Sequence, residues 1–181
     1  MSRLHLIKLT KAYEQEWRDL IAEFSQDGEI VPMAMKGSSD DFDDFLAYAE
    51  RYSSGKNLPQ GHVSSDIYFL VDGDSKRLLG AIDIRHKLSE YLLKYGGNIG
   101  YGIRPSERRK GYAARMLSLA LDECRKLQMD RVLLTCFADN IASVKTMKKN
   151  GAVLENEIMD QGRVKQRYWI ELRESENESD I

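Results

Sequence analysis

Apolar positions along the chain follow two rhythms. Trp17, Leu20, Ile21 and Phe24 recur at helical spacing, which predicts a helix over 11–25 with Thr10 as its N-cap. Phe42, Phe45, Leu46 and Ala49 share one face behind the acidic pair Asp40-Asp41, which suits the positive end of a helix dipole. Segment 111–127 has the clearest stripe: Met116, Leu117, Ala120, Leu121, Cys124 and Leu127 on one side, Arg115, Asp122, Arg125 and Lys126 on the other. A further helix is predicted over 140–149, opening on Asn140 and ending near Gly151. Shorter apolar clusters have strand length: LHLIKL (4–9), IYFLV (67–71), LLGAIDI (78–84), NIGYGI (98–103) and RVLLTCF (131–137). Asp72-Gly73-Asp74 is a hairpin signal, and two antiparallel strands joined at Asp160-Gln161-Gly162 run to Leu172. Residues 26–41 and 53–65 read as loops, and 88–94 as a short helical insert.

The order is therefore βααβββαβαββ. A strand, a helix and a strand in the middle form a crossover unit, and the flanking strands read as antiparallel. This predicts a mixed α/β (α+β) fold: a mostly antiparallel sheet with a central parallel pair and helices on both faces. Residues 1–172 are expected to form one domain. The tail 173–181, RESENESDI, is expected to be disordered.

Charge narrows the function. The 27 basic and 29 acidic residues leave a formal net charge of -2, so there is no broad cationic surface and nucleic-acid binding is disfavoured. Cys124 and Cys136 form no Cys-x-x-Cys pair, which argues against a structural metal, and both read as small buried hydrophobes. No apolar run approaches the ~20 residues needed to span a bilayer, and the N-terminus lacks the apolar core of a signal peptide. A cytoplasmic chain without membrane partners is expected, and a homodimer is left open.

The most informative segment is Ile103-Arg104-Pro105-Ser106-Glu107-Arg108-Arg109-Lys110-Gly111-Tyr112-Ala113, which joins a strand to the long helix. Free N–H groups at a helix start, with the dipole, make an anion site. Gly111 lets backbone approach a bulky ligand, and Ala113 keeps the first turn small. Arg104, Arg108, Arg109 and Lys110 are countered by Glu107 alone, so a pyrophosphate is what the loop could hold. It is neither a P-loop nor a dinucleotide fingerprint, since Gly-Lys-Ser/Thr and the third glycine are both missing.

This pattern, Ile103-x-Pro105-x-x-Arg108-x-x-Gly111-x-Ala113, resembles the acetyl-CoA loop of the GCN5-related N-acetyltransferases. Downstream, Asn140-Ile141-Ala142-Ser143, Met147 and Lys149-Asn150-Gly151 resemble that family's Asn-x-x-Ser helix. The resemblance spans 67–171 and is weaker over 1–66. It implies that acetyl-CoA lies in a splay between strands 98–103 and 131–137, held by Gly102, Ile103, Arg108, Arg109, Lys110, Gly111, Tyr112, Ala113, Asn140, Ser143 and Met147. Backbone amides near Gly102 and Ile103 would polarise the thioester, and an amine would attack it directly.

Two positions depart from the family. Met147 stands where many relatives carry a proton-donating Tyr, and it is expected to pack against the thioester end of the ligand. Asn98 stands where many carry a basic Glu. Asp83, His86, Glu90 or a water are the remaining candidates for the base, and Tyr101, Tyr112 or water for the acid. His5, His62 and His86 are scattered and read as loop or surface residues. The stretch Ser39–Asp44 reads as a capped helix start or as a negative rim for a cationic acceptor. Tyr91 and Tyr95 either line an acceptor pocket or pack the insert. The leading function is transfer of acetyl from acetyl-CoA to a primary amine of a small molecule or an exposed amino group. A non-catalytic acyl-CoA binding or sensing module is the alternative, supported by Met147 and Asn98.

Overall fold

A computed structural model describes residues 4–37 and 39–173. Apart from Arg173, the tail expected to be disordered lies outside the described residues. The elements are β1 (Leu4–Ile7), α1 (Glu14–Asp27), α2 (Phe42–Ser54), β2 (Ser65–Asp72), β3 (Leu78–Arg85), β4 (Ile99–Ile103), α3 (Tyr112–Lys126), β5 (Arg131–Phe137), α4 (Ile141–Lys149), β6 (Val153–Asp160) and β7 (Arg163–Glu171). That is the expected order. The insert before β4 is a π-helical turn over Leu92–Gly96.

The strands form two antiparallel sheets, ordered β1-β2-β3-β4 and β5-β7-β6. The first is covered on both faces. Ile67, Phe69 and Val71 of β2 face α1 and α2, where Trp17, Phe24, Phe42 and Phe45 lie, whereas Leu70 belongs to the core built on α3. Burial on both faces is why these strands read as continuous apolar runs rather than as alternation.

Local chemistry fixes the helix ends, with one departure. Thr10 makes no side-chain cap. A 3-10 turn over Lys11–Tyr13 intervenes, and α1 starts at Glu14. Asp41 does cap α2, its Oδ1 accepting from the Asp44 N–H at 3.0 Å. Within Ser39–Asp44, Asp43 pairs with Lys11 and Asp44 accepts from Ser39 Oγ, so the helix-start reading describes this stretch. Both cysteines are buried and free.

The two sheets meet at Asn98. Its N–H donates to the Leu133 carbonyl at 2.7 Å, and its Oδ1 accepts from the Leu133 N–H at 2.8 Å. Its Nδ2 donates to the Arg85 carbonyl at 3.1 Å. Gly97 permits the approach, because a Cβ there would lie 2.5 Å from the Leu133 carbonyl oxygen. Beyond this point β4 and β5 belong to different sheets. Asn98 is thus the apex of a splay, which is why an amide with both donor and acceptor stands here.

Candidate active site

The loop after β4 is shaped by two left-handed residues, Arg109 (φ 63°) and Gly111 (φ 84°). Gly111 is there for its φ and not for space, since a Cβ would meet no protein atom within 4 Å. The first backbone bond of α3 runs from the Arg115 N–H to the Gly111 carbonyl. The N–H groups ahead of it are the unpaired donors of a helix start, where anions bind.

The cluster of four cations is smaller than the sequence suggests. Arg104 is buried, with Nε on Glu23 at 2.6 Å and Nη1 on Glu16 at 3.1 Å, so it locks α1 to the sheet. Arg108 pairs with Asp27 at 2.7 Å and donates Nε–H to the Ile103 carbonyl. Lys110 pairs with Glu107 at 2.8 Å. Among the described residues, Arg109 alone of the four forms no ion pair. An anion at this loop would meet backbone N–H groups and Arg109 more than a cationic cluster. Tyr112 and Ala113 of the first turn pack partly against the α3 core.

In β4 the residues alternate in role. Register pairs Asp83 with Gly100 and Ala81 with Gly102, continuing to Arg104, whose N–H donates to the Leu79 carbonyl. By antiparallel alternation, Tyr101 and Ile103 present their N–H and C=O groups to the splayed edge. Gly102, expected on that edge, turns its N–H toward β3 instead. Its glycine serves packing, because a Cβ would lie 2.0 Å from the Val31 carbonyl oxygen.

Across the splay, the Tyr101 hydroxyl lies 2.8 Å from Ser143 Oγ on the first turn of α4. Burial pushes the Tyr101 phenol up to about 12, against the opposing hydrogen bond from Ser143. Asn140 caps α4 by accepting from the Ser143 N–H at 3.1 Å. Met147, expected beside the ligand, is fully buried in the core instead. It lies on the inward face of α4.

On the glycine face of β4 lies a cavity of about 400 Å³, within the range of small-molecule sites. Its lining includes Asp83, Arg85, Tyr48, Tyr52, His62 and Tyr91. Asp83 Oδ2 receives Arg85 Nε at 3.1 Å, while Oδ1 is buried without a partner. Burial raises the Asp83 carboxyl above the ordinary carboxylate value, against the pull of Arg85, Ser65 and His86. Arg85 is held in turn by the Gly96 and Gly97 carbonyls at 3.2 and 3.1 Å. The other base candidates lie elsewhere. His86 Nε2 is 2.8 Å from Asp66, and the exposed Glu90 is outside the lining. Tyr91 joins the cavity, whereas the Tyr95 carbonyl receives Thr135 and Lys165. Nothing in the sequence marks Tyr48, Tyr52, Arg85 and His62 as cavity residues. They come from segments with no motif, and only the fold gathers them.

A splayed strand pair, an open helix start and a cavity beside the splay have a counterpart among known families. Residues 3–153 match the model of the acetyltransferase (GNAT) domain. The chain is a member of the GNAT family. It is accordingly an acetyl-CoA-dependent acetyltransferase. No curated protein matches it. Solved structures share its fold at low identity. A mutant of the spermidine N-acetyltransferase SpeG from Vibrio cholerae is 18% identical, with TM-score 0.64 over 92% of this chain and 94% of that one. The putative acetyltransferase yncA from Salmonella typhimurium, solved with acetyl-CoA, is 14% identical, with TM-score 0.63 over 94% and 95%. A putative ribosomal-protein-serine acetyltransferase from Vibrio cholerae is 16% identical, with TM-score 0.62 over 94% and 95%.

The residues of this GNAT chain fit acetyl-CoA. The unpaired N–H groups around Gly111 suit a pyrophosphate, and the outward edge of β4 suits an amide-bearing arm. Among the described residues, no helix is long and apolar enough to cross a membrane.

Proposed function

We propose that this acetyltransferase acts on a primary amine, with Asp83 as general base. The observation that carries the reading is the place of Asp83. It is a buried carboxylate with one unpartnered oxygen, lining a cavity and paired in register with Gly100 beside the edge of β4. A raised carboxyl takes a proton from an attacking ammonium more readily than an ordinary one. Because Gly100 has no side chain, nothing on that strand stands between the carboxylate and the edge.

Bound acetyl-CoA supplies the acetyl group as a thioester. The N–H groups of Tyr101 and Ile103 face the edge where a carbonyl oxygen would gain charge. The Tyr101 hydroxyl, protonated at neutral pH, donates a hydrogen bond toward the departing sulfur. Full proton transfer to a thiolate of pKa ~8.5 would be uphill for a phenol near 12, so solvent completes the protonation. Arg109, the N–H groups around Gly111 and Tyr112, and the Asn140–Ser143 turn hold the phosphates and the arm.

Asn98 and Met147, the two departures that favour a non-catalytic module, each have a structural role. Asn98 holds the apex of the splay, and Met147 fills the core. Free-thiol release with a panel of primary amines tests the proposal. Asp83→Asn is expected to cut kcat by roughly 10²–10⁴-fold while calorimetric CoA affinity stays unchanged. A wild type that binds CoA but acetylates no amine would overturn it.

A further inference from the structure

We infer that the acceptor is a monoamine carrying an aromatic body, and that polyamines are selected against. This rests on the amine reading above. Tyr48, Tyr52 and Tyr91 give the cavity lining an aromatic part, beside the apolar Met33, Val63 and Leu92. The Tyr48 and Tyr52 rings lie 4.4 Å apart between centroids, and Tyr91 stands at the exposed side of the lining. A flat ring packs against such walls at roughly 4.5–7 Å centroid distances, in offset or edge-on contact.

Charge excludes the longer cations. Of the described residues lining the cavity, only Asp83 and Arg85 are charged, His62 being counted neutral, and they are paired with each other. The free Oδ1 can receive one ammonium. A second ammonium within the cavity would find no carboxylate in the lining and would face the Arg85 guanidinium. An unpaired cation out of water is costly. The Tyr52 ring is already occupied, because the Arg51 guanidinium lies over it at 5.6 Å. The Tyr52 hydroxyl is engaged as well, 2.5 Å from His62 Nδ1. The amine therefore goes to Asp83 and an uncharged, ring-shaped remainder to the tyrosines.

The test compares phenethylamine with putrescine and spermidine by initial rates of thiol release, on wild type and on Tyr91→Glu. Tyr91 is exposed, so this change adds a carboxylate to the lining without disturbing the core. Wild type is expected to prefer phenethylamine over spermidine by at least about 10-fold in kcat/KM, the scale of one poorly met polar group. Tyr91→Glu is expected to narrow that ratio by raising the spermidine value. Equal or better turnover of spermidine by wild type overturns the inference and leaves the amine reading standing. Failure of every amine, with CoA still bound, overturns the amine reading itself.

Discussion

Asn98 holds both backbone polar groups of Leu133, receiving the Leu133 N–H at its side-chain oxygen and donating its own N–H to the Leu133 carbonyl. The pair is the joint between the two sheets, and the splay opens from it. Asn98→Ala removes the acceptor and leaves the Leu133 N–H buried without a partner, which costs about 1–3 kcal/mol. The expected result in denaturant unfolding is that loss of stability, together with a raised KM for acetyl-CoA. Unchanged stability would mean that water or backbone replaces the amide oxygen.

The loop before α3 makes a second claim. Gly111 adopts a left-handed φ of 84° in open space, so Gly111→Ala meets no protein atom but holds an unfavourable backbone. The strain is about 1–2 kcal/mol. Thermal unfolding is expected to show that loss, and calorimetry a weaker CoA affinity. Gly111→Asp adds a negative charge at the helix start and is expected to abolish CoA binding in a protein that remains folded.

Gly100 separates Asp83 from the edge of β4 by nothing larger than a hydrogen. A Cβ there would lie 3.4 Å from Arg85 Nη2 and 3.7 Å from Pro32 Cβ, ordinary contacts that the fold tolerates. Gly100→Ala is therefore expected to fold and to bind CoA. Its methyl group would stand between amine and thioester, where small misplacements cost about 100-fold. The expected signature is a fall of that order in kcat at saturating acetyl-CoA. Full activity would show that the amine approaches by another route.

The pH dependence follows from the neighbours of Asp83. Burial raises its carboxyl, and Arg85 works against that rise. The base must be ionised, so the rate falls as pH drops through the raised value. Removing the Arg85 charge lets the carboxyl rise further, and the acid limb of kcat/KM should move to higher pH in Arg85→Met. Arg85→Lys retains the charge and should leave the limb near its wild-type place. A limb unmoved in Arg85→Met would assign it to a group other than Asp83.

Element order, the anion loop and the Asn140 cap are legible in the sequence because each is local. Helical and strand periods, a glycine before a helix and an Asn at a helix start carry their meaning within a few residues. Arg104 and Arg108 cannot be sorted by pattern. They look alike along the chain, yet one is buried between Glu16 and Glu23 while the other is half-exposed beside Asp27. Gly102 defeats a sequence reading for a similar reason. Strand alternation fixes which N–H groups face outward only once the partner strand is known. The cavity is the least legible, because Tyr48 and Tyr52 on α2, Asp83 and Arg85 on β3, and Tyr91 in the insert meet only in the folded chain.

Tyr101 offers the sharpest test of the chemistry. Its hydroxyl reaches from β4 to Ser143 Oγ on α4 and is protonated at neutral pH, burial having pushed the phenol up to about 12. Tyr101→Phe keeps the ring in its packing and deletes only the donor. If the hydroxyl stabilises the leaving thiolate, one hydrogen bond to a charged group is lost, and kcat should fall about 10- to 100-fold. The loss should depend on the leaving group. A donor thioester with a more acidic thiol needs less help, so its rate should fall less in the variant than that of acetyl-CoA. A purely structural role in joining β4 to α4 predicts instead an equal loss for both donors, accompanied by weaker CoA binding. Comparing the two donors on wild type and variant, with CoA affinity measured by calorimetry, separates the two roles.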